Sequence, residues 1–212
     1  PDDAVEEEWF FENKPLVHGR TCVFASFYPN GIISETDLIY LEGLNKVADN
    51  IVLVANSPIL PTEKEKLKGR VSAAIFHYHE GYDFGSYRIG RMFAEEKGWL
   101  STDVCTELIF ANSSCYGPVH PFNIMFSKMK NKECDFWGMT ENTQISGSTH
   151  LQSYFLVFRS AILKTNALQD FFGERPLKAS RQEAIRLYEV QLTGFLRDRG
   201  FKAQAYVPIR QY

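Results

Sequence analysis

The sequence has no surplus of positive charge and no long apolar run. Lysine and arginine together number 23 against 26 aspartates and glutamates, which gives a net charge of −3. Because capture of nucleic acid needs a basic face, this balance argues against a nucleic-acid partner. No stretch of about 18 apolar residues is present, so no transmembrane helix is encoded. There is no signal peptide either, and Pro1 stands in place of Met, so we expect a piece of a longer chain with neighbouring domains.

Three common catalytic and nucleotide-binding motifs are also missing. The sequence contains no G-x-x-x-x-G-K-[ST], no G-x-S-x-G and no H-E-x-x-H, which argues against a P-loop, a nucleophile-elbow hydrolase and a zinc protease. The four cysteines include no C-x-x-C pair, and Cys22 and Cys105 fall in apolar runs typical of buried strands. We therefore expect free thiols and a reducing, cytoplasmic compartment. His77 and His79 form an H-x-H pair, which would point one way from a strand and is a weaker candidate for binding metal.

Apolar runs alternate with helical patterns through the first half of the chain. Strands are predicted at residues 21–27, 50–56, 71–77 and 106–111. Helices are predicted at residues 35–47, where Ser34 is a plausible N-cap, and at residues 83–97. This order is typical of an α/β protein with a central, mainly parallel sheet flanked by helices.

The second half of the chain is less regular, and the first twenty residues differ from both halves. Helices are predicted at 121–130 and 180–199, strands at 136–140, 150–158 and 202–207, and a loop at 144–149. Gly200 is expected to close the last helix. Residues 1–20 are acidic with a Trp-Phe-Phe cluster, and we interpret them as a lead-in whose short helix packs on the body or on a missing domain. Residues 21–212 then form a single domain.

A polar turn closes the fourth predicted strand. After the apolar residues 106–111 come Asn112, Ser113 and Ser114, and a Gly-Pro pair follows at 117–118. In open α/β sheets the carboxyl ends of the strands border the ligand crevice, where small polar side chains let a phosphate, a sugar or a metal come close. An ordinary loop after a strand is the alternative interpretation.

A glycine-containing segment opens the predicted helix at 83–97. Asp83 stands at the expected N-terminus, Gly85 allows close approach of the backbone, and Arg88 follows about one turn later. A helix N-terminus offers free N–H groups and a positive partial charge, which suit a phosphate, and an arginine can add a bidentate clamp. The alternatives are that Asp83 is a simple N-cap and Arg88 a solvated helix residue.

Three further candidates lie in the second half. Trp137 is in an aromatic strand and by default is a core residue. His150, Gln152 and Tyr154 stand at the start of an apolar run, where polar groups need a partner in one another or in a ligand. Glu189 falls in the middle of the last predicted helix, where an exposed carboxylate is also common.

Taken in order, four segments resemble motifs of the rhamnan synthesis protein F family of bacterial glycosyltransferases, and the resemblance extends over residues 21–207. The four segments are G-Y-D-F-G at 81–85, N-S-S at 112–114 followed by Y-G-P at 116–118, D-F-W-G-M-T at 135–140, and H-L-Q-S-Y-F-L-V-F at 150–158. The resemblance implies a GT-A (Rossmann-like) fold that binds a nucleotide-sugar. It also implies transfer of a deoxyhexose such as rhamnose in polysaccharide assembly.

The resemblance also bears on a metal ion. GT-A enzymes hold Mg²⁺ or Mn²⁺ on the donor diphosphate through an acidic D-x-D-type motif, and the family usually has Asn-Asp-Ser there. Ser113 replaces the aspartate in this chain, which leaves Asn112 and Ser114 as the candidate metal ligands. A hydroxyl is a weaker ligand than a carboxylate, so charge compensation would fall to Arg88 and the helix N-terminus.

The resemblance implies an inverting transfer from a nucleoside diphosphate sugar, with dTDP-rhamnose as the leading donor, to a growing surface polysaccharide or a lipid-linked glycan. Glu189 resembles the helical acidic motif that supplies the base, and Asp135 is the second candidate. The donor-binding candidates are Asp83, Gly85, Arg88, Asn112, Ser113 and Ser114. The residues expected to bind the acceptor or its sugars are Trp137, His150, Gln152 and Tyr154.

Two other functional classes stay open. Because Ser113 replaces the expected carboxylate, the chain could instead be a non-catalytic carbohydrate-binding or scaffolding domain that retains the fold. A nucleotidyltransferase is less favoured, since it needs carboxylate-held Mg²⁺ and no convincing pair of carboxylates occurs at the strand ends. We expect a cytoplasmic protein that can associate peripherally with the inner face of the membrane.

Overall fold

The computed structural model describes residues 7–11, 19–143, 149–176, 178 and 180–209. The strands are β1 (Glu7–Phe10), β2 (Gly19–Ser26), β3 (Asn50–Ala55), β4 (Ala73–Phe76), β5 (Cys105–Asn112), β6 (Phe136–Asn142), β7 (His150–Leu151), β8 (Phe155–Arg159) and β9 (Ala203–Val207). The helices are α1 (Glu35–Leu44), α2 (Lys64–Leu67), α3 (Tyr82–Glu96), α4 (Phe122–Lys130), α5 (Ser160–Leu163), α6 (Ala167–Gly173), α7 (Arg181–Ala184) and α8 (Val190–Asp198). A 3₁₀ turn at Pro61–Glu63 precedes α2, and a π-helical segment at Ile185–Glu189 joins α7 to α8. No helix within these residues is long and apolar enough to cross a bilayer.

The strands form one mixed sheet in the order β1-β4-β3-β2-β5-β8-β6-β7, and β9 lies beside β6. Strands β2 to β5 run parallel to one another, and β6 and β9 share their direction because the antiparallel β8 separates β5 from β6. Strands β1, β7 and β8 run the opposite way. The predicted α/β class with a central, mainly parallel sheet flanked by helices is therefore confirmed.

Helices cover both faces of the sheet. Residues of α1 and α4 pack on one face with Phe24 and Leu53, while residues of α3, α6 and α8 pack on the other with Val23 and Val52. Strand β3 is buried along its whole length, as its continuous apolar sequence requires. Cys22 and Cys105 are buried free thiols in β2 and β5.

Two predicted elements differ from the structure. Glu7–Phe10 is a strand, β1, which pairs antiparallel with β4 and places Trp9 in the core, so the predicted short helix is wrong although the segment packs on the body. The predicted strand 150–158 is two strands, β7 and β8, because a turn at residues 152–154 lets the chain leave one pairing with β6 and start another. Of the predicted loop at 144–149, only Thr149 lies within the described residues.

The last predicted helix is present but is not regular. Ser180 caps it through a capping box with Glu183, and Gly200 follows it at φ +88°, as expected for a glycine after a helix. Between these ends the π-helical segment Ile185–Glu189 interrupts the α-helical hydrogen bonding. Short π segments of this kind are rare in proteins, and those that do occur often lie at functional sites.

A glycine lets α3 lie close to the sheet. A Cβ atom built on Gly90 would stand 2.3 Å from Val23 Cγ1 and 3.0 Å from Val54 Cγ2. Since neither valine methyl can move far, Gly90→Ala is expected to push α3 away from β2 and β3 and to destabilise the fold by about 2 kcal/mol. For a chain of this size the melting temperature should fall by about 4–8 °C.

Gly194 in α8 supplies the matched control for this substitution. A Cβ built there meets no atom within 4 Å, so Gly194→Ala should be neutral or slightly stabilising. Thermal unfolding of the two variants followed by circular dichroism checks the difference. Equal melting temperatures for Gly90→Ala and Gly194→Ala would contradict the proposed close contact.

Candidate functional site

Asn112 ends β5 at the carboxyl edge of the parallel strands, and its amide organises the turn that follows. The side chain is only 2% exposed. Its Oδ1 accepts a hydrogen bond from the Ser114 N–H at 3.0 Å, and its Nδ2 donates to Asp83 Oδ2 at 2.8 Å. Asn112 therefore connects the turn after β5 to the first turn of α3, while Ser113 and the exposed Ser114 lie beyond it on the turn.

Asp83 stands in the first turn of α3, where Gly81 is the N-cap residue and no side chain caps the helix. The carboxyl does not act as the simple N-cap that the sequence allowed, because it turns toward Asn112. Burial, assisted by the negative charge of Glu189, raises the pKa of Asp83 to about 6, and the hydrogen bond from Asn112 opposes that rise. Two carboxyl groups, Asp83 and Glu189, thus share one partly desolvated region at the strand ends.

Glu189 is the last residue of the π-helical segment, and a turn from another part of the chain holds its carboxylate. Oε2 accepts hydrogen bonds from both the backbone N–H and the hydroxyl of Ser153, the former at 2.9 Å. Oε1 lies 3.9 Å from His150 Nε2. Because β8 is antiparallel, the turn before it, which contains Ser153, reaches the same edge of the sheet as Asn112.

Three hydrogen-bonded contacts join the last helix to this turn, and we call them the helix–turn ladder. Glu189 accepts from Ser153, Thr193 Oγ1 accepts from the Leu151 N–H at 2.9 Å, and Arg197 Nη1 donates to the Thr149 carbonyl at 3.0 Å. Four residues of helix rise about 6 Å and two residues of extended chain about 6.6 Å, so the two repeats match. The ladder fixes where the Glu189 carboxylate lies.

The tyrosine Tyr87 supports the same turn from α3. Its hydroxyl donates to the Ser153 carbonyl at 2.9 Å, and its ring stacks on Phe110 with the ring centroids 4.5 Å apart. Ser153 and Tyr87 were not among the sequence candidates. Their roles depend on contacts between residues far apart in the chain, although Ser153 lies inside the polar segment that the sequence marked.

Gly85 was predicted to let a phosphate approach the helix, but a histidine fills that space. A Cβ on Gly85 would lie 2.4 Å from His79 Nδ1. The His79 Nδ1 accepts from the Gly81 N–H, which places the imidazole proton on Nε2, where it can donate to Ser86 Oγ at 3.0 Å. Burial and the neighbouring His77 lower the pKa of His79 to about 4, so the ring is neutral. Both histidines of the H-x-H pair follow β4 and do not lie on a strand.

Arg88 points to a different partner from the one expected. Its Nη1 donates to the Phe172 carbonyl at 3.3 Å, near the end of α6. This bond commits one nitrogen of the guanidinium to the end of α6. The predicted bidentate clamp on a donor phosphate therefore has no support in the geometry.

Gln152 and Tyr154 share a network with Thr140. The Thr140 hydroxyl donates to Gln152 Oε1 at 2.8 Å and lies 2.7 Å from the Tyr154 hydroxyl. Both residues are partly exposed, and the Tyr154 carbonyl accepts from the Asn112 N–H. They therefore border the site and remain candidates for contacts with an acceptor.

Trp137 and Asp135 lie outside the site. Trp137 is 0% exposed and packs between Phe126 and Phe155, with ring centroids at 5.2 and 6.0 Å, so neither of its faces is open to a sugar. Asp135 precedes β6 at the amino edge of the sheet, opposite the edge where Asn112 lies, and its Oδ2 accepts from the Lys202 N–H. The structure corrects both assignments, because Trp137 is buried in the core and the direction of β6 places Asp135 at the opposite edge of the sheet.

Exposed aromatic residues surround the same edge of the sheet, and none of them was a sequence candidate. Phe27 follows β2, Tyr78 follows β4, Tyr82 begins α3, and Tyr116, which is 84% exposed, follows β5. Tyr82 has a φ of +50°, a left-handed conformation that residues with side chains rarely adopt and that recurs at functional sites. We define these four side chains as the aromatic rim.

A model of the family described as rhamnan synthesis protein F matches residues 51–212, which is most of the chain and contains Asp83, Asn112 and Glu189. The chain belongs to the rhamnan synthesis protein F family. The predicted resemblance is therefore confirmed over these residues.

Two curated relatives and one solved structure are similar to this member of the rhamnan synthesis protein F family. The uncharacterized protein y4gN of Sinorhizobium fredii is 23% identical over 90% of the chain and 49% of its own length. The virulence protein VirA of Vibrio anguillarum is 27% identical over 61% of the chain and 40% of its own length. The chain thus spans half or less of the length of these relatives. The 4-diphosphocytidyl-2C-methyl-D-erythritol synthase of Anaerococcus prevotii is 14% identical, with a TM-score of 0.46 over 91% of this chain and 89% of that one.

The residues of this rhamnan synthesis protein F domain do not fit a metal ion held by protein alone. Within the described part of the chain, no three His, Cys, Asp or Glu side chains are grouped as metal ligands. The Asn112 Oδ1 that a cation would need already accepts from Ser114, and Ser113 contributes only a hydroxyl. Asp83 and Glu189 contribute carboxyl groups near the strand end.

Proposed function

We propose that this domain is a glycosyltransferase that moves a sugar from a nucleoside diphosphate sugar to a growing bacterial surface polysaccharide. The observation that carries the proposal is the meeting of Asp83, Asn112 and Glu189 at the carboxyl edge of the parallel strands in a member of the rhamnan synthesis protein F family. Ligands of open α/β sheets bind at this edge. A GT-A fold agrees with the order of the strands and helices.

Glu189 is the general base of the proposed reaction. A base must lie within hydrogen-bonding reach of the hydroxyl that it deprotonates, and it must be held in one orientation. Ser153 holds Glu189 Oε2 with two donors, and the side chain keeps 15% of its surface exposed. The acceptor hydroxyl loses its proton to this carboxylate while its oxygen attacks the anomeric carbon from the face opposite the diphosphate, so the transfer inverts.

Asp83 and the aromatic rim bind the donor in this proposal. Near pH 7.5 the Asp83 carboxylate is mostly ionised and accepts hydrogen bonds from ribose hydroxyls, while Asn112 holds it in place. The exposed rings of Tyr78, Tyr82 and Tyr116 offer flat faces for a nucleobase or a sugar. No step passes through a metal ion. Because rhamnan is a polymer of rhamnose, dTDP-rhamnose is the leading donor, and a lipid-linked glycan at the inner face of the membrane is the expected acceptor.

A thermal-shift screen across dTDP-, UDP- and GDP-sugars tests the proposal. At about 100 times its Kd a donor stabilises the fold by about 2.7 kcal/mol, so we expect one nucleotide-sugar to raise the melting temperature by about 5–10 °C. Turnover of that donor is then measured with Mn²⁺ and with EDTA. Selective binding without turnover on any glycan would favour a non-catalytic carbohydrate-binding domain, and no selective stabilisation would contradict the proposal.

A further inference from the structure

His150 is a buried imidazole that the fold leaves without a hydrogen bond. The residue pairs with Asn142 across β6 and β7, and it is 1% exposed. Neither Nδ1 nor Nε2 has a hydrogen-bond partner within the described residues. An unpaired buried polar group costs about 1–3 kcal/mol, so a histidine here needs a function that an apolar residue would not provide. The sequence analysis expected His150 to bind the acceptor sugar. Its burial shows that it does not contact the sugar directly.

The imidazole of His150 faces the carboxylate of Glu189. His150 Nε2 lies 3.9 Å from Glu189 Oε1, about 1 Å beyond a charge-assisted hydrogen bond. The other oxygen, Oε2, is held by Ser153. The ladder contacts at Thr193 and Arg197 fix the backbone on both sides of His150, at Leu151 and Thr149. The imidazole and the carboxylate therefore face each other in a rigid frame.

We propose that His150 and Glu189 form a proton-sharing pair in which the imidazole receives the proton that Glu189 removes from the acceptor. The proposal rests on the proposed role of Glu189 as the base. As the acceptor oxygen bonds to the anomeric carbon, the bond from that carbon to the diphosphate breaks and its electron pair leaves with the diphosphate. The acceptor proton passes to Glu189 and then from Oε1 to Nε2 of His150. It returns to solvent through Glu189 when the products leave.

Three other groups lie around the pair and contribute to its electrostatics. Asp83 contributes a carboxyl from α3, and Tyr87 on the same helix holds the Ser153 turn. Arg197 lies two turns along α8 and donates to the Thr149 carbonyl beside His150, whereas the Glu141 carboxylate of β6 accepts from the Ile209 N–H. His150 touches no substrate, so it acts through Glu189 as a positioning residue that also holds a proton.

A double-mutant cycle in thermal unfolding tests the pair without an activity assay. Wild type, His150→Leu, Glu189→Gln and the double variant are melted at pH 6 and pH 9. Because the charge of an imidazole depends on pH, a proton-sharing pair should show a coupling that differs between the two pH values, by about 3 °C in melting temperature. A coupling of the same size at both pH values would show mere packing and would overturn the proposal.

Steady-state kinetics provide a second test. The His150→Gln variant keeps a polar side chain at this position but cannot accept a proton. His150→Leu and His150→Gln should both lower kcat at least tenfold with the donor KM unchanged, because neither side chain accepts a proton. The exposed His120, changed to Gln, is the matched control.

These outcomes distinguish the inference from the proposed function. Wild-type kcat in His150→Gln, with Glu189→Gln inactive, would overturn the proton-sharing pair alone. An active Glu189→Gln variant would instead refute Glu189 as the base, whatever the unfolding cycle shows.

Discussion

Replacing Glu189 with glutamine is expected to lower kcat by about a thousandfold, the range that loss of a general base produces. Glutamine has the same shape, and its amide oxygen can still accept from the Ser153 N–H and hydroxyl, so the ladder contact is kept. What is lost is the ability to take a proton. The donor KM should change little, because the proposed donor contacts lie on Asp83 and the aromatic rim. Single-turnover transfer from the donor identified by thermal shift measures the effect.

Asp135→Asn is the matched control for that experiment. Asp135 is the other acidic residue that the sequence offered as a base, and asparagine preserves the acceptor for the Lys202 N–H. Since Asp135 lies at the amino edge of the sheet, its variant should transfer sugar at the wild-type rate. The reverse outcome, an inactive Asp135→Asn and an active Glu189→Gln, would refute the assignment.

Asp83→Asn is expected to make the protein more stable at pH 7.5, even though it removes a proposed donor contact. The folded-state pKa of Asp83 is about 6, above the ordinary value of about 3.9. Between these values the folded protein binds more protons than the unfolded chain, so stability falls as pH rises through this window, and the loss persists above it. Asparagine carries no charge, so its burial does not carry the cost of burying an ionised carboxylate. The free energy of unfolding should therefore rise by about 1–3 kcal/mol at pH 7.5.

Thermal unfolding at two pH values tests whether Asp83→Asn stabilises the protein. Asp83→Asn should melt about 5 °C above wild type at pH 7.5 and within about 1 °C of it at pH 4, where the wild-type carboxyl is protonated in the folded state. The Asn112 Nδ2 can still donate to the asparagine oxygen, so the connection between the turn after β5 and the start of α3 is preserved. A lower melting temperature at pH 7.5, or an equal gain at both pH values, would contradict the raised pKa. The stabilisation by donor should decrease in the same variant.

The sequence predicted most of the sheet and the place of the site because both depend on local pattern. Apolar runs mark β2, β3, β4 and β5, and the polar residues after β5 mark the edge where ligands bind. Helix signals were equally direct, since Ser34 caps α1 with its hydroxyl and Gly200 follows α8 with a positive φ. Asn112 and Glu189 could therefore be named before their neighbours were known.

What the sequence could not predict depends on which distant residues meet. Gly85 makes room for His79 rather than for a ligand, and Arg88 is used by the end of α6. Trp137 and Asp135 belong to β6, whose packing and direction follow from the insertion of β8 between it and β5. The π-helical segment before α8 has no simple sequence signature, yet it ends at the proposed base.

The helix–turn ladder has a consequence for errors in assembly. Its three contacts repeat at the same spacing on both partners, so a slip of the turn by one residue would break the contacts at Glu189, Thr193 and Arg197 together. The Glu189 carboxylate is therefore held only when the turn and the helix are in the observed register. A chain paired in the wrong register would therefore leave the Glu189 carboxylate without the Ser153 donors that hold it.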